Sequence, residues 1–344
     1  MVTLGCSVGL AFLPVLLSLM GPVDTVAPST KACKATVASA SESITSISRT
    51  PAVQIKVPAK QESEGVELVH SNESPGEDSM RFTLTEEEKE EVLALKKACE
   101  NDSVAYRSVF ELAKYCLTVR SLVEDGSEGA AKKRTKLALQ RLKKRRKWES
   151  EYNMDQIDNM EALKEIDKAA PGFFVVRYSR DKEGHNVVGH HMAYAPYDFM
   201  FASKENLGKY LAAEQWRLDL GAADLQEARK GIAVVSVADG LWGIEGAYRY
   251  LRVLTKANDN VNDMHPNRVR RVYTEIPVFG HHLIEGGKRL LPKKIQSRII
   301  VHHTIEHLEE KLCKAAKGGD PMTIVEWCEQ RNAVYEESVE KVRL

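Results

Sequence analysis

The chain has no net charge. Its 49 Lys and Arg offset 49 Asp and Glu across 344 residues, so no global field argues for nucleic acid as a partner. Cysteine motifs are missing too. Cys6, Cys33, Cys99, Cys116, Cys313 and Cys328 are scattered, with no C-x-x-C and no zinc-ligand spacing. That excludes ribbon-type zinc sites and leaves buried or free thiols as the expectation. No G-x-S-x-G, P-loop or G-x-G-x-x-G occurs. The sequence therefore makes no positive case for an enzyme, and neither cofactor nor metal is expected. The pairs His190-His191 and His281-His282 have no ligand spacing to each other.

What is present is local. Met1 to Met20 holds no charged side chain, and an apolar run of about 20 residues can just span a bilayer. Gly5, Gly9 and Pro14 interrupt it, which favours a cleaved leader. Residues 25–60 are rich in Ser, Thr, Ala and Val and poor in acids, with Lys31, Lys34, Arg49 and Lys56. That composition resembles a transit peptide. Residues 1–60 thus read as a targeting or disordered segment, for an organelle such as a plastid or for the secretory route. A cytoplasmic, peripheral-membrane location is the alternative. Residues 61–82 are polar and read as a linker.

Residues 83–155 read as a small helical segment. Thr85 and Glu88 form a capping box, and Val92, Leu93, Leu95 and Ala98 give an apolar face. A second helix runs from Val104 to Leu122. A third runs from Ala130 to about Glu151, with Leu137, Leu139, Leu142 and Trp148. The third carries a basic run of Lys132, Lys133, Arg134, Lys136, Arg141, Lys143, Lys144, Arg145, Arg146 and Lys147. Such a run docks an anionic membrane, binds nucleic acid, or is a solvated helix face. The membrane reading puts Lys143, Lys144, Arg145 and Arg146 at the lipid surface.

Residues 162–315 alternate in a different way. Phe173 to Tyr178 and Asn186 to Ala193 read as a hairpin about Asp181-Lys182-Glu183-Gly184. Lys204 to Arg217 and Ala222 to Lys230 read as helices, and Gly231 to Ala238 as a buried strand closed by Asp239-Gly240. A helix from Leu241, a strand from Val269, an amphipathic crossover from Val278 to Leu291 and an apolar run from Ile295 to Val301 follow. The expected class is α/β, with a mostly parallel sheet flanked by helices. Ile305, Leu308, Leu312 and Ala315 recur at helical spacing, and 320–344 reads as a C-terminal helix after Gly318-Gly319-Asp320-Pro321.

Four pieces in order resemble the CRAL-TRIO lipid-binding family. They are Asp239-Gly240-Leu241, His265-Pro266-Asn267-Arg268 through Tyr273, Ile276-Pro277-Val278-Phe279, and Leu290-Leu291-Pro292-Lys293-Lys294 with Ser297-Arg298-Ile299. Leu142 to Trp148 and Asp155 are similar to the last helix of the segment that precedes such domains. The resemblance implies a non-enzymatic, monomeric carrier of a phospholipid, phosphoinositide or other hydrophobic ligand, with an apolar cavity and a mobile lid. The lid and cavity residues would be Val278, Phe279, Leu283, Ile284, Leu290 and Leu291, with Gly286 and Gly287 as hinge. The headgroup residues would be Ser236, Asn267 and Arg298; Asn267 stands where the family's inositol binders have Glu, and Arg298 where they have Lys. A scaffold that keeps the fold without transferring lipid is the alternative. A zinc hydrolase is the third reading, because His303-Thr304-Ile305-Glu306-His307 matches H-x-x-E-H and a helix would set both imidazoles on one side.

Overall fold

The computed structural model describes residues 77–123, 129–237, 264–275, 296–302, 304–314 and 322–344. The leader, most of the linker, the lid Val278–Leu291 with Gly286 and Gly287, Cys6, Cys33 and His303 lie outside the described residues.

The chain enters on a short helix, α1 (Glu77–Phe82), where a linker was expected. Arg81 holds it down, with Nε 3.0 Å from Asp224 Oδ2. α2 (Glu86–Asn101) opens on the capping box, with both Thr85 and Glu88 bonds formed. Its apolar face departs from the expected one. Val92, Leu95 and Cys99 are buried, whereas Leu93 is about half exposed. α3 (Val109–Arg120) starts late, because the Ser108 hydroxyl accepts from the Glu111 N–H and fixes the cap there. α4 (Ala130–Glu151) matches its predicted bounds. These three helices share a core that includes Phe110, Leu112, Tyr115 and Leu142, and Leu225 and Val342 from distant parts of the chain join it.

After a 3-10 turn and α5 (Asn159–Ala169), the sheet begins with β1 (Phe174–Val175), β2 (Tyr178–Asp181) and β3 (Asn186–His191). α6 (Tyr197–Ala202), α7 (Lys204–Leu220) and α8 (Leu225–Lys230) lead to β4 (Ile232–Val237). β5 (Val269–Glu275) and β6 (Ile299–His302) follow, then α9 (Ile305–Glu309), β7 (Leu312–Lys314) and α10 (Ile324–Lys341). The strand order is β6-β5-β4-β3-β2-β7, with β1 beside β3. β3 to β6 run parallel, and the hairpin and β7 add antiparallel edges. The architecture is therefore α/β, with a mostly parallel sheet flanked by helices.

Strand β4 reads Ile232-Ala233-Val234-Val235-Ser236-Val237 and is buried on both faces apart from the half-buried Ser236. Such a strand belongs in the middle of a covered sheet. Ala233, Val235 and Val237 share one core with Tyr178, Val187, Tyr273, Leu308 and Leu312. This explains the misreading after β6. Leu308 and Leu312 enter the same core, so their spacing of four looks helical, yet Leu312 sits on β7 and pairs with Asp181.

Gly231 is the tightest point beside the sheet. Its φ is +88°, and a Cβ there would stand 2.5 Å from the Arg268 carbonyl oxygen and 2.9 Å from Arg270 Cγ. Gly231→Ala is expected to destabilise the protein by about 2 kcal/mol or more, through strain at positive φ and the clash together. Urea midpoints measure it. An unchanged midpoint would show that the start of β4 and Arg268 separate without cost.

Candidate phosphate-binding site

The approach to β5 is built by the helical segment. Tyr115 Oη donates to the Met264 carbonyl at 2.9 Å, Arg141 Nη2 to that of His265 at 2.9 Å, and the Thr118 hydroxyl to that of Pro266. The backbone of Met264–Pro266 is thus held by three side chains from α3 and α4. Asn267 continues the pattern in reverse, since its side-chain amide donates to the Leu218 carbonyl on α7. The chain then rises into β5 with Arg268 next.

Three arginines meet here, at the amino ends of three adjacent parallel strands. The Arg268 carbonyl accepts from the Ile232 N–H at 2.9 Å, and the Arg298 carbonyl from the Val272 N–H at 2.9 Å. Between them the β4–β5 register jumps from Ile232↔Val269 to Ala233↔Arg271, so Arg270 is the extra residue of a bulge. A bulge re-aims the side chain it carries. Arg270 Nε reaches the Lys230 carbonyl at 2.9 Å.

No carboxylate among the described residues pairs with Arg268, Arg270 or Arg298. Arg298 is 9 % exposed, and among the described residues its side chain makes one hydrogen bond, to the Val269 carbonyl at 3.4 Å. The Arg268 Nε is buried with no acceptor among the described residues. Burial pushes the Arg268 guanidinium down to about 10, and the charges of Arg270 and Arg298 push the same way. Arg298 is lowered by burial, then by Arg270 and Arg271. Arg270 is lowered by burial and then Arg271, with Glu183 as the one opposing carboxylate. Glu183 is itself engaged, because Arg271 grips it with three contacts of 2.8–3.0 Å.

Unpaired, desolvated, mutually repelling cations are costly unless something anionic completes them. Guanidinium forks fit phosphate oxygens in pairs. The arrangement can thus hold a phosphate group whose charge relieves both the burial and the repulsion.

The sequence-predicted headgroup residues do not gather. Arg298 lies in the cluster. Asn267 is adjacent in sequence but turns to α7, a structural tie. Ser236 is four residues up β4 from Ile232, about 13 Å at strand rise. It stands at the opposite, carboxyl end, in register with His190 and Thr274. There the His190 ring is held down to about 4 by burial, against the pull of Glu214, and the buried Thr274 hydroxyl has no hydrogen-bond partner among the described residues. Arg268 and Arg270 were missed as site residues. The run Arg268-Val269-Arg270-Arg271 was the available signal.

The basic helix also needs correction. Arg145 is buried, with Nη2 2.7 Å from Asp219 Oδ2 and Nε 2.7 Å from Glu149 Oε1. Arg146 is part-buried against Glu111 and Glu149. Neither faces outward, because α4 turns its arginines inward onto α3 and α7. Lys143 and Lys144 are exposed.

Of the H-x-x-E-H segment, His303 lies outside the described residues; Thr304 is the extended N-cap of α9, and Glu306 and His307 are exposed. Among the described residues no group of three or more His, Cys, Asp or Glu could hold a metal ion. Cys99, Cys116 and Cys328 are buried free thiols and Cys313 an exposed one. No described helix is long and apolar enough to cross a membrane.

Compared with known proteins, the chain matches no protein-family model and no curated protein.

Proposed function

We propose that the protein binds a lipid with a phosphate-bearing headgroup and moves it between membranes. One observation carries the reading: Arg268, Arg270 and Arg298 form a desolvated cationic cluster with no described counter-ion. A phosphate supplies the missing charge. The tail is assigned to the apolar sheet and to the crossover that follows β5, where the CRAL-TRIO resemblance expects a cavity and a lid. Parallel strands in chain order, from β3 to β6, agree with that resemblance. The chemistry asked of the site is recognition alone, so no nucleophile or base is assigned.

The test is extraction of the purified full chain, followed by mass spectrometry of what copurifies. Protein made in two unrelated hosts is expected to carry phospholipid at close to one per chain. It should also accelerate movement of that lipid between liposomes. Clean extracts from both hosts, together with no transfer, would remove the carrier reading.

A further inference from the structure

We propose that the outer face of α4 is a docking surface for an anionic bilayer. The helix sorts its basic residues by type. Arg134, Arg141 and Arg145 are buried, whereas Lys132, Lys133, Lys136, Lys143, Lys144 and Lys147 are exposed. Sequence alone shows one basic run; the fold separates it into an arginine interior and a lysine exterior.

The interior is structural. Arg134 meets Glu91 at 3.1 Å, Arg141 the His265 carbonyl, and Arg145 Asp219. The exterior has no such use. Lys143 pairs with Asp102 at 2.6 Å, and Lys144 also has a partner. Lys132, Lys133, Lys136 and Lys147 form no ion pair with any described residue.

Three properties favour a bilayer over a nucleic acid. The lysines lie along one continuous helix from Lys132 to Lys147, about 22 Å at helical rise, which suits an extended surface. No aromatic side chain is exposed among them to stack on bases. Lysine is a compact, hydrated point charge that needs no defined fork geometry, and the arginines that read phosphate edges all point inward. Each lysine near an anionic leaflet strengthens partitioning about fivefold, and the effect decays within a Debye length. Four such residues together strengthen partitioning by about several hundredfold where their contributions add.

This surface rests on the lipid-binding reading for the identity of its partner. It is separate from the arginine cluster, so the two are tested apart. The full chain is sedimented with phosphatidylcholine vesicles and with vesicles in which about a third of the lipid is phosphatidylserine. At about 0.1 M salt it is expected to bind the anionic vesicles at least tenfold more tightly, and to lose the preference near 1 M. The variant Lys132→Glu/Lys136→Glu/Lys147→Glu, all solvent-exposed changes, should keep its melting temperature and its copurifying phospholipid. Its binding should fall to the level seen on neutral vesicles. Unchanged binding by the variant overturns the proposal. So does displacement of the parent from vesicles by a short nucleic-acid duplex at lower phosphate concentration than the lipid. If the parent binds anionic vesicles through these lysines yet carries no lipid, the docking surface stands and the carrier reading falls.

Discussion

Asp219→Asn should destabilise the protein by about 3–5 kcal/mol, the usual loss when one partner of a buried ion pair is removed. Asp219 is the anion of a buried network. Both its carboxylate oxygens face Arg145, at 2.7 and 3.3 Å. Lys114 Nζ donates to its carbonyl at 2.9 Å and lies 3.9 Å from Oδ1. Arg145 and Lys114 are almost wholly buried. The substitution keeps the shape and removes the charge, so two cations are left in the interior with less compensation.

The pH dependence separates the two partners. Burial raises the Asp219 carboxyl, but Arg145 and then Lys114 more than reverse this and hold it near 2, against an ordinary 3.8. A depressed carboxyl contributes stability in full above its unfolded value and loses it as pH falls through its folded one. The parent should therefore lose this contribution between about pH 4 and 2, and Asp219→Asn should show no such loss. Lys114 behaves in the opposite sense. Burial lowers it to about 8, with Asp219 opposing. Above that value its charge is leaving the folded parent. The deficit of the variant should then be smaller at pH 10 than at pH 7, because only the Arg145 part remains. Urea unfolding at about pH 2, 7 and 10 gives the answer. A constant deficit across the range would mean that Asp219 acts through shape or hydrogen bonds, not through its charge.

This network also shows why the sequence was legible in its elements and opaque in its assembly. Capping boxes, strand runs and breakers depend on neighbours in the chain, and α4 and β4 lie where those signals put them, while the hairpin's expected first strand is split into β1 and β2. Burial of a charged residue depends on partners far away. Arg145 meets Asp219 across 74 positions, and Lys114 reaches it across 105. From sequence both look like solvated surface, and the helical segment looks separable from the sheet. In the fold, α3 and α4 grip Met264–Pro266 and so set the entry to β5. The placement of the site residues follows the same logic. Ser236, Asn267 and Arg298 follow the motif order of the CRAL-TRIO resemblance, but strand direction puts Ser236 at the far end of β4. What draws Arg268, Arg270 and Arg298 together is a parallel register and one bulge, and neither is written in local spacing.

Arg298→Met should weaken phosphate-ligand binding about 10- to 100-fold while making the ligand-free protein more stable by about 1 kcal/mol. The two effects share one cause. A guanidinium at 9 % exposure, with one long hydrogen bond among the described residues and two like charges nearby, is a liability to the empty fold. Methionine keeps the apolar stem and removes the desolvated charge, and such replacements are often neutral or stabilising. With ligand bound, the same guanidinium makes charge-assisted bonds worth about 1.5–3 kcal/mol, and that is what the variant forfeits. Glu183→Gln should push the other way. It releases Arg271 from its carboxylate and adds a fourth guanidinium beside the cluster, so affinity should rise several-fold. Phosphate charge gives a further check. A phosphomonoester gains its second negative charge near pH 6, whereas a diester does not. Binding of a monoester headgroup should therefore strengthen between about pH 5 and 7, and binding of a diester headgroup should stay level across that range. The measurements are ligand titrations and thermal melts on delipidated protein. If Arg298→Met melts lower than the parent and binds phosphate ligands unchanged, the arginine serves the fold and the cluster is not a phosphate site.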